Sequence, residues 1–139
     1  ASCCIPVACK PIEIDGVPYY DGALGDTIPL DKAFADGCDK VVLLLTKPAG
    51  TIRADGTDRK LARVIRRRYP QAARQLALRA QHYNEGIEKA QRLAAEGKVL
   101  IIAPDDICGV KTLTRDQEAL KKLYAKGLRD AEAIRDFIK

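Results

Sequence analysis

Two short apolar segments, "PIEI" and "VPYY", flank Asp15-Gly16 near the start of the chain. That dipeptide suits a two-residue turn whose central residues both take positive φ, so residues 11 to 21 predict a hairpin with Asp21 closing its second strand. "IPLDKAFADG" follows, with Pro29 placed to start a short helix and Gly37 to stop it. "KVVLLLT" is an unbroken apolar run of strand length, which predicts a strand covered on both faces rather than a helix. The Pro and Gly content of "KPAGTIRADG", residues 47–56, marks a loop.

From Thr57 the spacing turns helical. Leu61, Val64 and Ile65 share a face, Pro70 opens a second helix, and Ala72, Leu76, Ala80, Tyr83, Ile87, Ala90 and Ala94 recur every three or four residues until Gly97. "KVLIIAP" repeats the buried-strand signal. Thr114 and Gln117 form a capping-box pattern ahead of Ala119, Leu120, Leu123 and Tyr124; Gly127 predicts the end of that helix, and Ala131, Ile134 and Ile138 a last one. Apolar strands separated by helices predict an α/β architecture: a sheet region over 1–46, a helical segment over 57–97, then a strand and C-terminal helices over 98–139. A sheet buried on both faces averages about five or six strands. The pattern therefore predicts further strands upstream of residue 1.

Composition narrows the class. With 139 residues and 47% apolar positions, the chain supports one domain with a real core and does not read as disordered. It contains no methionine, which predicts a piece of a longer protein. No run approaches the roughly 18 to 20 apolar residues of a membrane span, and the expectation is a soluble, cytoplasmic chain. The five cysteines, Cys3, Cys4, Cys9, Cys38 and Cys108, lack CxxC spacing, and the single histidine, His82, lies far from them. They predict reduced, mostly buried thiols rather than a disulfide framework or a zinc site.

The net charge of +5 is concentrated in one helical region, at Arg59, Lys60, Arg63, Arg66, Arg67, Arg68, Arg74 and Arg79. Three readings are open: a solvated face, electrostatic attraction to anionic lipid headgroups, and nucleic-acid binding. The run carries no nucleic-acid motif and no stacking aromatics, so nucleic acid is not expected. Peripheral contact with an anionic membrane would fall to Arg59, Lys60, Arg63, Arg66, Arg67 and Arg68.

An aspartate before a glycine is most often a turn former or a cap, and Asp21 taken alone says no more than that. Its surroundings add to it. "ASCCIPVACKPIEIDGVPYYDGALGDTIP" carries A-S-x-x-I-P, a Pro-initiated hairpin, Y-x-D-G-A, and then Pro29 after "GDTI". This composite resembles the bacterial patatin-like phospholipases, closely over residues 1 to about 46 and more loosely beyond, where "LTRDQEALKKLYAKGLRDA" is similar to the C-terminal helical region of one bacterial branch.

The resemblance implies the C-terminal part of a mixed, mostly parallel sheet with helices on both faces, plus C-terminal helices. It implies hydrolysis of acyl-lipid esters by a Ser-Asp dyad without metal or cofactor, with Asp21 matching the dyad aspartate. The serine would lie N-terminal to Asp21 in a G-x-S-x-G elbow, beside a Gly-rich oxyanion loop. Here the chain departs from the family: Ser2 is its only serine, and it stands in no such elbow. The expectation is that the nucleophile lies upstream and that this chain alone is catalytically silent. The contrasting reading is a non-enzymatic basic helical module on anionic membrane or nucleic acid. A sheet lacking its neighbours would expose an edge, which predicts self-association.

Other polar residues carry weaker expectations. His82 is expected to be a partly exposed helical residue. Asp105 and Asp106 follow a predicted strand, where they serve either as loop formers or as metal ligands. Asp26 and Asp31 are placed to cap or start the short helix.

Overall fold

The computed structural model describes residues 3–6, 8–111 and 114–139. About half the chain is helical, and two small sheets complete a mixed α/β architecture. Two compact units emerge, Ala1–Pro29 with Ile52–Ile87, and Leu30–Thr51 with Glu88–Lys139.

The first unit opens with the hairpin β1 (Ile12–Ile14) and β2 (Val17–Tyr19), antiparallel with Ile12 opposite Tyr19 and Ile14 opposite Val17. Asp15 and Gly16 both take positive φ, 52° and 77°. That is the conformation a two-residue turn between right-twisted strands demands, and the reason Gly follows Asp here. Ile12, Ile14, Val17 and Tyr19 share one face, and each is about half exposed.

Helices α2 (Gly56–Ile65) and α3 (Pro70–Ala95) supply most of this unit's core. Leu24, Ala62, Ile65, Ala73 and Leu76 pack together, joined by the partly buried Tyr20, Leu61 and Tyr69. The face of α2 differs from the expected one. Asp58, Ala62 and Ile65 are buried at i, i+4 and i+7, whereas Val64 is 70% exposed. The cause is electrostatic: Asp58 is only 4% exposed, and Arg79 of α3 reaches it through two hydrogen bonds, Nε to Oδ2 at 2.9 Å and Nη2 to Oδ1 at 2.5 Å. A second guanidinium, that of Arg53, lies 3.5 Å from Oδ2. Two cations satisfy the buried carboxylate, and the inward face of the helix rotates to include it.

On α3 the expected positions Leu76, Ala80 and Ile87 are buried, together with Ala73. The Asn84 side chain accepts from Arg53 N at 2.9 Å and donates to Arg53 O at 3.1 Å, which holds the loop before α2 against α3. Gly86 lets Ile28 approach: a Cβ at position 86 would stand 3.0 Å from Ile28 Cβ.

In the second unit, α1 (Leu30–Ala35) ends where Gly37 takes φ 92°, and α3 ends where Gly97 takes φ 73°. Each terminus is closed by a paired set of bonds, Gly37 N to Phe34 O with Cys38 N to Ala33 O, and Gly97 N to Ala94 O with Lys98 N to Leu93 O. Both are Schellman motifs, as the two glycines predict. Strands β3 (Val41–Leu44) and β4 (Val99–Ile102) pair in parallel, Val41 opposite Val99 through Leu44 opposite Ile102. Parallel neighbours require a long crossover, here residues 45–98.

The expected burial of these strands on both faces is not observed. Val99 is buried, Val41 to Leu43 are partly covered, and Leu44 is 65% exposed. With two strands, each is an edge and neither has a neighbour on its other side. The mostly parallel, doubly covered sheet thus reduces, among the described residues, to one parallel pair and one separate hairpin.

Helix α4 (Gln117–Asp130) begins one residue after Asp116, whose carboxylate accepts from Glu118 N at 3.0 Å and Ala119 N at 3.2 Å. Asp116 is the cap in place of the expected Thr114, whose hydroxyl instead accepts from Lys111 N at 2.8 Å. Gly127 does not end α4: it keeps helical geometry, and the chain continues through a 3₁₀ turn, Ala131–Ala133, into α5 (Ile134–Phe137). Lys40 donates to Phe137 O at 2.6 Å with its ammonium 5.1 Å from the Phe137 ring, tying α5 to the start of β3. Leu120, Tyr124 and Leu128 form an exposed stripe on α4.

Removing one partner of the Asp58–Arg79 pair leaves a largely buried guanidinium unmatched. Asp58→Ala is expected to lower the unfolding free energy by about 3 kcal/mol, read from urea denaturation. A shift below 0.5 kcal/mol would show that the pair does not hold α2 to α3. At Gly86, alanine adds helix propensity of about 1 kcal/mol but meets the branched stem of Ile28, a contact of the kind that costs about 1–3 kcal/mol. Gly86→Ala is expected to destabilise, and to do so less in an Ile28→Ala background.

Candidate functional site

Asp21 lies two residues beyond the end of β2 at Tyr19, between two residues that pack into the core, Tyr20 and Leu24. The Tyr20 ring meets Tyr69 edge-on, with centroids 5.4 Å apart, and Arg68 lies over the Tyr69 ring at 5.5 Å. Between these anchors the Asp21 N–H donates to Cys4 O at 3.0 Å. Its carboxylate Oδ1 accepts from Ala23 N at 2.9 Å, capping the 3₁₀ turn Gly22–Leu24. Oδ2 makes no hydrogen bond among the described residues, and Asp21 is partly exposed.

The bond to Cys4 joins the two halves of the sequence composite. Cys4 and Pro6, from the A-S-x-x-I-P stretch, are both buried. Ser2 lies outside the described residues. Asp21 is therefore a cap with one carboxylate oxygen engaged and the other without a hydrogen bond among the described residues.

All five cysteines are free. The expectation that most are buried is not met: Cys4 alone is buried, Cys108 is intermediate, and Cys3, Cys9 and Cys38 are exposed. Two of the segments explain this, because Cys9 donates its N–H to Ile5 O at 2.9 Å in a surface turn, and Cys38 follows the glycine stop of α1. Cys4 donates to Lys10 O at 2.7 Å; burial, then the neighbouring Cys9 thiol, pushes its pKa up. Burial and the adjacent Tyr69 likewise raise Tyr20. No group of three or more His, Cys, Asp or Glu able to hold a metal occurs among the described residues.

The four other aspartates singled out in the sequence have structural partners. Asp26 accepts from Ile28 N at 3.2 Å, and Asp31 in the first turn of α1 pairs with Lys89. Asp105 accepts from Asp106 N and pairs with Lys126, and Asp106 accepts from Cys108 N, so the two shape a loop. His82 is partly buried on α3.

The basic run separates into groups with different partners. Arg79 is taken by Asp58 and Arg68 by Tyr69. Five others, Arg59, Arg63, Arg66, Arg67 and Arg74, line a groove of about 680 Å³ whose floor includes Ala62, Ala73 and Ala77. Lys60 is exposed and is not part of that lining. A smaller apolar groove of about 330 Å³ lies at the C-terminal ends of β3 and β4, against Leu123 and Ile134.

Residues 69–138, from Tyr69 through α5, match a domain of unknown function, DUF6363. The chain belongs to the DUF6363 family. The match takes in α3, β4, α4 and α5, while Asp21 and the whole of α2 precede it. No curated protein and no solved structure matches this DUF6363 chain. Among its described residues no helix is long and apolar enough to cross a membrane.

Reading the site from sequence missed Asp58 and Asn84, because their partners lie far along the chain and no local pattern announces them. The raised pKa values of Cys4 and Tyr20 carry a pH dependence of a definite sign. Each group holds its proton to higher pH when folded than its ordinary value, 9.0 for Cys4 and 10.0 for Tyr20. Their contribution is complete below about pH 9 and is lost as pH rises through the folded values. The unfolding free energy is expected to fall above about pH 9, and Cys4→Ala with Tyr20→Phe to flatten that fall. A decline equally steep in the double variant would assign it to other groups.

Proposed function

We propose that this chain is the aspartate-bearing, C-terminal part of a patatin-like serine acyl hydrolase that cleaves ester bonds of acyl lipids. The observation that carries the reading is the Asp21 N–H to Cys4 O bond, 3.0 Å. It brings the A-S-x-x-I-P and Y-x-D-G-A segments, which carry the resemblance, into one local structure.

Chemically, the dyad needs a carboxylate with a fixed backbone and a spare oxygen. Tyr20 and Leu24 hold the backbone, Oδ1 is spent on the cap, and Oδ2 is left for a serine hydroxyl. In the proposed reaction that serine, supplied from the preceding part of the parent protein, attacks the ester carbonyl while Asp21 accepts its proton. The proton then passes to the departing alcohol, and water releases the acyl group by the same path. Neither metal nor cofactor enters the scheme.

The cap offers a clean test. Asparagine caps as well as aspartate does, so Asp21→Asn keeps the bond to Ala23 N while removing the base. In the full-length parent, assayed on a short-chain chromogenic ester, Asp21→Asn is expected to lower kcat by about 10²–10⁴-fold with its thermal unfolding unchanged, and residues 1–139 alone to be inactive. Unchanged turnover in Asp21→Asn would leave Asp21 as a cap and nothing more.

A further inference from the structure

The groove between α2 and the first turns of α3 has no part in the dyad, and its lining is unusual in charge. Arg59, Arg63, Arg66, Arg67 and Arg74 surround it. Arg59 pairs with the exposed Asp55 at 3.3 Å; the other four make no ion pair among the described residues. Five guanidinium groups around one concavity repel each other, and the arrangement invites an anion. The first turn of α3, beside Arg74, contains no acidic residue to offset them.

We infer that this groove binds the phosphate headgroups of an anionic phospholipid surface. Three features favour lipid over nucleic acid. No aromatic side chain lines the groove, so bases would find no stacking platform. Its floor is alanine, which accepts the aliphatic parts of a lipid. Beside the groove, α2 also carries Lys60 and Val64 one turn apart, both exposed and Val64 70% so, a mixture of cation and aliphatic suited to a helix lying in a headgroup layer. The inference stands whether or not the hydrolase reading does, since it uses neither Asp21 nor a serine.

Cosedimentation of the protein with phosphatidylcholine vesicles, with and without phosphatidylglycerol, tests it. The protein is expected to bind only the phosphatidylglycerol vesicles. Each arginine near the surface contributes about fivefold in partitioning, so Arg63→Gln with Arg67→Gln is expected to weaken binding about 25-fold. Lys121→Gln with Lys139→Gln removes the same net charge from α4 and the C-terminus and is expected to leave binding within about twofold. Both pairs are exposed, and circular dichroism checks that each variant is folded. Equal losses in the two double variants would reduce the effect to net charge and overturn the assignment. So would tighter, arginine-dependent binding to a single-stranded oligonucleotide, which would make the groove a nucleic-acid site. Full displacement from vesicles by millimolar inorganic phosphate at constant ionic strength would make it a site for the free ion.

Discussion

A carboxylate that is 4% exposed has lost nearly all its water, and Asp58 has to be satisfied by protein groups where it stands. Arg79 does this with two hydrogen bonds from α3, and Arg53 adds a second positive charge from the loop before α2. That requirement orients the helix. With Asp58 turned inward, Ala62 and Ile65 follow it into the core at i+4 and i+7, and Val64 is left outside. The arginines of α2 are then presented on the side where the groove forms. A burial pattern that looks apolar in origin is here set by one ion pair, whose strong dependence on geometry makes it a device for selecting one helix rotation over another.

The same unit fixes Asp21 by different means. Its neighbours Tyr20 and Leu24 are held by packing, its N–H by a carbonyl from the buried Cys4, and its carboxylate by a local cap. None of these contacts consumes the second carboxylate oxygen. One carboxylate oxygen of Asp21 is thus engaged in the cap, and the other makes no hydrogen bond among the described residues. Cys4 contributes twice: its thiol, whose pKa burial pushes up, donates to Lys10 O, and its backbone carbonyl accepts from Asp21 N.

What could be read from sequence alone was local. The Asp15-Gly16 turn, the glycine stops at Gly37 and Gly97, the start of α3 at Pro70 and its buried stripe through Leu76, Ala80 and Ile87 all follow from backbone conformation or helical period within a few residues. The Asp21 cap on Gly22–Leu24 was equally legible, because an aspartate before a glycine is most often a turn former or a cap. Tertiary structure decided the rest. Asp58 and Arg79 are partners across two helices, so neither position signals the other, and eight basic residues that looked alike in sequence divide among a buried ion pair, a ring contact, a groove and bare solvent. The coverage of β3 and β4 is non-local too: an apolar run specifies a strand, but whether its faces are covered depends on how many strands and helices come to lie against it.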